Sequence, residues 1–177
     1  EMYYPEFTLS QKKRKIVFIK RKGALIPILM RVLRAKNPKF ISEIEWLPLD
    51  GLEEDEYARH IREAAVFVNV SMEEGILNAS FQAMRCNTLL AGFDSIGGQE
   101  SIIGEGEEQN YIIAQTGDYL SLAWLMEPLL EDILRGDLSD WERQKKNGYL
   151  LAASMTEEKE CESVISFWKR MSPENQI

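Results

Sequence analysis

Two groups of residues in this 177-residue chain have types and spacing suited to chemistry. The first is Lys20-Arg21-Lys22-Gly23, a cationic turn placed between an apolar run and a helical pattern. Free backbone N–H groups, a helix dipole and side-chain charge all favour an anion at such a place, a diphosphate in particular. An ordinary solvated basic turn has the same sequence. The second group is Glu74-Gly75, Asn78 and Gln82. Over a continuous helix Glu74 and Gln82 would stand roughly 12 Å apart along the axis and about 80° apart around it. Two such polar ends, with a helix N-terminus near Asn78 between them, suit an elongated ligand with an anionic middle. Gly75 lets backbone approach that ligand closely. From spacing alone the plainer account is stronger: a strand-to-helix turn with solvated Glu73 and Glu74 and Asn78 as N-cap.

The elements that must position these groups follow a repeating order. Lys15 to Ile19 reads as a strand, and Leu25 to Arg34 as a helix with Pro27 in its first turn. Glu45 to Leu49 is a short second strand that turns at Asp50-Gly51. Glu53 to Ala64 is a helix with acids early and Arg59 and Arg62 late, where the dipole prefers them. Ala65 to Val70 is a buried strand, Asn78 to Arg85 a helix, Thr88 to Phe93 a strand, and Gly97-Gly98 a turn. Gly104 to Asn110 is an acidic glycine loop whose glutamates oppose a pyrophosphate. Tyr111 to Ala114 is a last strand, and helices cover Leu120 to Leu134, Leu138 to Ala152 and Glu157 to Met171. Strands alternating with helices predict an α/β fold: a Rossmann-like, doubly wound parallel sheet with flanking helices and a C-terminal helical segment. The last helix carries Cys161, Val164, Ile165, Trp168 and Met171 on one face, expected to pack on the chain's own core.

Composition limits the rest. Hydrophobic residues make up 45% of the chain, enough for a real core. The net charge of −8 is divided, since residues 1–39 hold eleven lysines and arginines against two glutamates. The acidic majority disfavours a nucleic-acid partner. Two distant cysteines without ligand spacing argue against a disulfide framework or metal site and for a reducing, cytoplasmic setting. No apolar run approaches a membrane span. His60, the one histidine, sits in a helix without an evident Ser or Cys partner and reads as a surface or packing residue.

Glu74-Gly75-Ile76-Leu77, Ala83-Met84, Leu89-Leu90-Ala91, Gly97-Gly98 and Glu100-Ser101-Ile102 together resemble the donor-binding segment of the large retaining family of GT-B glycosyltransferases. That family includes sucrose synthases and bacterial polysaccharide enzymes. Arg21-Lys22-Gly23, Leu49-Asp50-Gly51-Leu52 and Asn110 extend the likeness in the same order. The resemblance implies one half of a GT-B fold, with residues 1–11 a linker remnant and residues 12–177 a single nucleotide-sugar-binding domain. Glu74 would bind hydroxyls of the donor sugar, and Gly75, Ile76, Leu77 and Asn78 would contact sugar and phosphate. Arg21 and Lys22 would neutralise the leaving diphosphate, and Leu49, Gly51 and Leu52 would lie near the base. Gln82 stands where the family has a ribose-binding acid, and a neutral amide differs from it in charge and acceptor count. Transfer would be retaining and metal-independent, with no cofactor besides the nucleotide-sugar substrate. The acceptor-binding N-terminal domain is the implied partner, to which the family's last helix crosses back and which the Cys161 to Met171 face would then meet, so the isolated chain is expected to be inactive. Peripheral membrane contact belongs to the whole enzyme. The alternatives are a non-catalytic nucleotide-binding or interaction module of the same fold, and an epimerase that shares it.

Overall fold

The computed structural model describes residues 2–20, 26–71, 78–94 and 102–171. Five strands form one sheet: β1 (Lys13–Phe18), β2 (Glu45–Pro48), β3 (Ala64–Asn69), β4 (Leu89–Phe93) and β5 (Ile112–Ala114). Their order is β2-β1-β3-β4-β5 and every pairing is parallel. A parallel sheet of this kind is covered on both faces, so its strands are apolar throughout rather than alternating. β3 and β4 show this, with ten of their eleven residues buried.

Helices α1 (Ile26–Lys36), the short α2 (Lys39–Ser42) and α5 (Tyr119–Arg135) cover one face. Ile26, Leu29 and Leu33 of α1 and Leu122, Met126, Leu129 and Leu130 of α5 meet Ile16, Val66, Val68 and Phe93 there. Helices α3 (Glu54–Glu63), α4 (Asn78–Arg85) and α6 (Glu142–Ser154) cover the other, where Ile61, Ala83, Met84 and Ala152 meet Val17, Phe67 and Leu90. A Cβ on Gly148 would lie 3.1 Å from Met84 Cγ, so glycine there lets α6 pack closely on α4. Asp118 caps α5 by accepting the Ser121 N–H at 2.9 Å, and Gly136 ends it at φ +77°. No described helix is long and apolar enough to cross a membrane.

The residues before β1 are ordered onto the sheet edge. Leu9, in a 3₁₀ turn over Leu9–Gln11, is fully buried. Arg62 Nε donates to Glu6 Oε2 at 2.7 Å, and its Nη1 donates to the Met2 carbonyl at the same distance. Lys12 Nζ donates to the Arg62 and Cys86 carbonyls, both at 2.6 Å, and so closes the C-terminal ends of α3 and α4.

The final helix, α7 (Glu157–Met171), departs from expectation. None of its residues is buried, and Val164, Ile165, Phe167, Trp168 and Met171 all stand exposed. Among the described residues, α6 contributes Ala152 to the core on the α4 face, and no residue of α7 joins either hydrophobic cluster. Its apolar stripe is real, but the chain's own core does not receive it.

Candidate functional site

The chain leaves β1, passes through α1 to β2 on one side, and returns through α3 to β3 on the other. That reversal opens a crevice at the carboxyl ends of β1 and β3, the place where open α/β sheets bind ligands. Two segments, 21–25 and 72–77, depart from those two strand ends. Arg21, Lys22, Glu74, Gly75, Ile76 and Leu77 lie within them, outside the described residues. Asn78, Gln82, Leu49, Gly51 and Leu52 are described: Asn78 opens α4, Gln82 lies one turn into it, and Leu49, Gly51 and Leu52 follow β2.

The β2 side is built from backbone. The Leu49 N–H donates to the Phe18 carbonyl at 2.8 Å, which continues the β1–β2 ladder by one step. The Lys20 N–H donates to the Asp50 carboxylate, so the loop after β2 holds the start of the loop after β1. Gly51 has φ +79°, a conformation natural to glycine. Leu49 is buried against the α3 face while Leu52 is half-buried above it.

The β3 side is tied by Asn69. Its Oδ1 accepts the Ser71 N–H at 3.1 Å, and its Nδ2 reaches Ser80 Oγ at 3.5 Å. One side chain thus ties the end of β3 to the first turns of α4. Asn78 is the first residue of α4 and is exposed, so it stands inside the helix rather than before it as a cap. Gln82 follows one turn later, half-buried, and its Oε1 accepts a hydrogen bond from Tyr57 Oη of α3 at 3.4 Å. The free N–H groups that head any helix, together with its dipole, make the start of α4 favourable to an anion.

The β4 and β5 ends fix this geometry from the far side. A Cβ on Gly92 would lie 1.8 Å from the Asn69 carbonyl oxygen and 2.6 Å from Tyr111 Oη. Only a residue without a side chain permits that approach, and Tyr111 Oη uses it to donate to the Asn69 carbonyl at 3.5 Å. Asp94 Oδ1 accepts the Thr116 N–H at 2.8 Å and its hydroxyl at 2.5 Å. Asn110, buried, closes the acidic glycine loop by accepting the Ile103 N–H at 3.0 Å, while its own N–H donates back to the Ile103 carbonyl at 2.9 Å.

Sequence reasoning did not single out Asn69, Tyr57, Gly92 or Asp94. Asn69 carried a signal: it is the one polar side chain in the apolar run of β3, and a polar residue there needs a partner. Tyr57, on an acidic helix, carried none.

A strongly charged cluster among the described residues lies at the opposite, amino edge. Lys15, 3% exposed, places Nζ 2.9 Å from Glu63 Oε2, 3.5 Å from Glu45 and 3.1 Å from His60 Nδ1. Burial, then the Lys15 and Arg59 charges, hold the His60 pKa below its ordinary value, so the ring accepts from Lys15 as a neutral imidazole. His60 is a packing residue, as expected. Cys86 is buried, and burial raises its thiol to about 11. Among the described residues no three His, Cys, Asp or Glu side chains form a metal-binding group.

No protein-family model matches the sequence, and no curated protein does either. Solved structures do share the fold. Sucrose-phosphate synthase from Thermosynechococcus elongatus superposes with a TM-score of 0.66 at 15% identity, over 96% of this chain and 50% of that one. The C-terminal domain of LpcC, a glycosyl transferase group 1 family protein from Francisella tularensis, gives 0.62 at 15%, over 86% of this chain and 95% of that domain. Anabaena HepE in complex with UDP gives 0.61 at 13%, over 89% and 50%. This chain therefore has the Rossmann-like fold of one GT-B glycosyltransferase domain, and it spans about half the length of the sucrose-phosphate synthase chain.

Proposed function

We propose that this chain is the donor-binding half of a glycosyltransferase that moves a sugar from a nucleoside diphosphate to an acceptor. The observation that carries the reading is the crevice between the carboxyl ends of β1 and β3, bordered by the Lys20–Asp50 contact, the start of α4 and the Tyr57–Gln82 pair. The UDP held by Anabaena HepE, on the same fold, supports it. In this reading the diphosphate sits at the head of α4, and the charges of Arg21 and Lys22 offset that of the leaving group. Glu74, with Gly75 to Asn78, binds the sugar. Leu49, Gly51 and Leu52 flank the base. Cationic side chains and a helix terminus do the work a metal would otherwise do, so transfer is metal-independent, and it is retaining by resemblance. An acceptor-binding domain completes the enzyme, which works in the cytoplasm, and this chain alone turns over no substrate.

Calorimetric titration with UDP, GDP, ADP and dTDP and their sugar conjugates tests the reading. One nucleotide is expected to bind, its sugar conjugate more tightly. Glu74→Ala should remove the sugar's increment alone, and Lys22→Ala should weaken nucleotide and conjugate alike. A folded chain that binds none of them at millimolar concentration is instead a non-catalytic module. The neutral Gln82 amide, already bonded to Tyr57, favours that second reading.

A further inference from the structure

The outer face of α1 and α5 combines cations with exposed apolar side chains. Residues 26–42 hold four lysines and arginines and no acid, in a chain whose net charge is −8. Two of the four, Arg31 and Arg34, lie on α1 and are exposed. Ile28, one turn before Arg31, is 42% exposed. On α5, Leu120 and Trp124 also stand one turn apart, 61% and 66% exposed. The core does not need these three, because Leu29 and Leu33 of α1 and Leu122 and Met126 of α5 fill it.

Lys36 joins the two helices. Its Nζ lies 3.1 Å from the Trp124 ring centroid and 2.6 Å from Glu127 Oε2. The ring is thus held in place by a cation, and the acid beside it carries its own counter-ion. Ile28 and Lys36 lie two four-residue steps apart, so the stripe of α1 that ends at Trp124 begins at Ile28. Of the α5 acids, Glu131 alone is exposed, two turns beyond Trp124.

Guanidinium groups beside an indole and two aliphatic side chains match a surface that offers phosphate and hydrocarbon together. An anionic bilayer presents both within the reach of a side chain, and tryptophan favours the boundary between them. A second copy of the chain fits poorly, because a two-fold contact would set Arg31 and Arg34 near their own images. A nucleic acid would use the guanidinium groups and leave Ile28 and Leu120 without a partner.

We infer that the outer face of α1 and α5 binds an anionic lipid surface, with Arg31 and Arg34 on lipid phosphates and Ile28, Leu120 and Trp124 in the headgroup boundary. This is independent of the nucleotide reading, and it places membrane contact on this chain rather than on a domain beyond it. Helix α4 lies on the other face of the sheet, so a docked chain keeps the start of α4 open.

The test is cosedimentation of the chain with vesicles of phosphatidylcholine alone and of phosphatidylcholine mixed equally with phosphatidylglycerol. It compares wild type, the double variant Arg31→Gln/Arg34→Gln, Trp124→Ala and Trp168→Ala, with circular dichroism to establish that each is folded. Wild type should bind the mixed vesicles at least roughly tenfold more tightly than the neutral ones, and high salt should remove most of that difference. On mixed vesicles the double variant should lose about thirtyfold, and Trp124→Ala roughly tenfold. Trp168→Ala, which alters the exposed aromatic of α7, should stay within about threefold of wild type. Absence of vesicle binding by folded wild type, equal affinity for both vesicles, or a loss in Trp168→Ala without one in the α1 and α5 variants overturns the inference. A dimer in sedimentation velocity that Trp124→Ala abolishes, in a chain that binds no vesicle, overturns it in favour of a second copy.

Discussion

Replacing Glu63 by Gln tests whether the amino edge of the sheet is held electrostatically. The Glu63 carboxylate lies 2.8 Å from Lys13 Nζ, 2.9 Å from Lys15 Nζ and 3.6 Å from Arg59 Nη1. Burial alone would raise its pKa, but hydrogen bonds from Lys13 and Lys15, and then their charges, carry it down from 4.5 to about 2. At about 1.4 kcal/mol per unit such a displacement is an upper bound of roughly 3 kcal/mol. Lys13 is 58% exposed, and its share is screened. We expect about 2 kcal/mol after that discount. Glutamine keeps an acceptor for Lys15 but leaves that buried ammonium with Glu45, itself 53% exposed, as its remaining anion. For a chain of this length the melting temperature should fall by roughly 4–8 °C at pH 7. The sign of the pH dependence is fixed. A carboxylate with a depressed folded pKa contributes in full above about 4.5, and the contribution is lost as pH falls through about 2. Urea denaturation of both proteins between pH 7 and pH 2 should give curves that converge at the acid end. A difference at pH 7 below about 0.5 kcal/mol, or parallel acid limbs, would refute the reasoning. Nucleotide affinity should be unchanged, since this cluster lies at the other end of the strands from the crevice.

Gly92→Ala should cost more than about 3 kcal/mol, because its Cβ would sit 1.8 Å from the backbone oxygen of Asn69 in the neighbouring strand; a melting temperature within about 3 °C of wild type would contradict the close approach. Burial brings the Lys12 ammonium down to about 7, from an ordinary 10.5. The unfolded chain therefore binds a proton there that the folded chain has released, and stability should rise with pH from about 7 toward 10.5. Lys12→Met should flatten that rise in denaturation curves at pH 7 and pH 10. Of the two free thiols, Cys161 is exposed and Cys86 buried. A disulfide reagent should therefore modify one thiol per chain promptly and the second only in denaturant, whereas two fast thiols would place Cys86 at the surface.

The fold was legible because local and global signals agree along most of the chain. The run at Ala65 to Val70 is a buried strand shifted by one residue, and α4 and α7 have the bounds their apolar spacing implies. The short α2 was not legible: four residues after Pro38 are too few to show a period. The destination of the α7 stripe was not legible either, because periodicity shows that a face is apolar and not what covers it. In the candidate site, Asp50-Gly51 is legible as a turn from its residue types, whereas Leu49, Gly51, Leu52 and Gln82 are candidate site residues only through the family resemblance. Tyr57 and Asn69 escaped because their roles arise from long-range pairing. Asn69 meets a strand partner in Gly92, twenty-three positions away, and Tyr57 meets Gln82 across two helices.

The strand order has a kinetic consequence. β1 is made first yet stands near the centre of the sheet, and its pairing with β3 joins Ile16 to Val66 across fifty positions. Such closures are slow to form compared with hairpins and helices, because loop entropy is lost before any ladder is gained. A chain emerging from the ribosome therefore carries β1 with an unfilled flank until β3 is complete. The edge of β4 stays open longer still, waiting for the three residues Ile112–Ala114. These apolar edges are the segments most prone to mispairing between nascent chains. Conditions that slow synthesis or supply a chaperone should thus raise the yield of folded protein more than any change at the crevice.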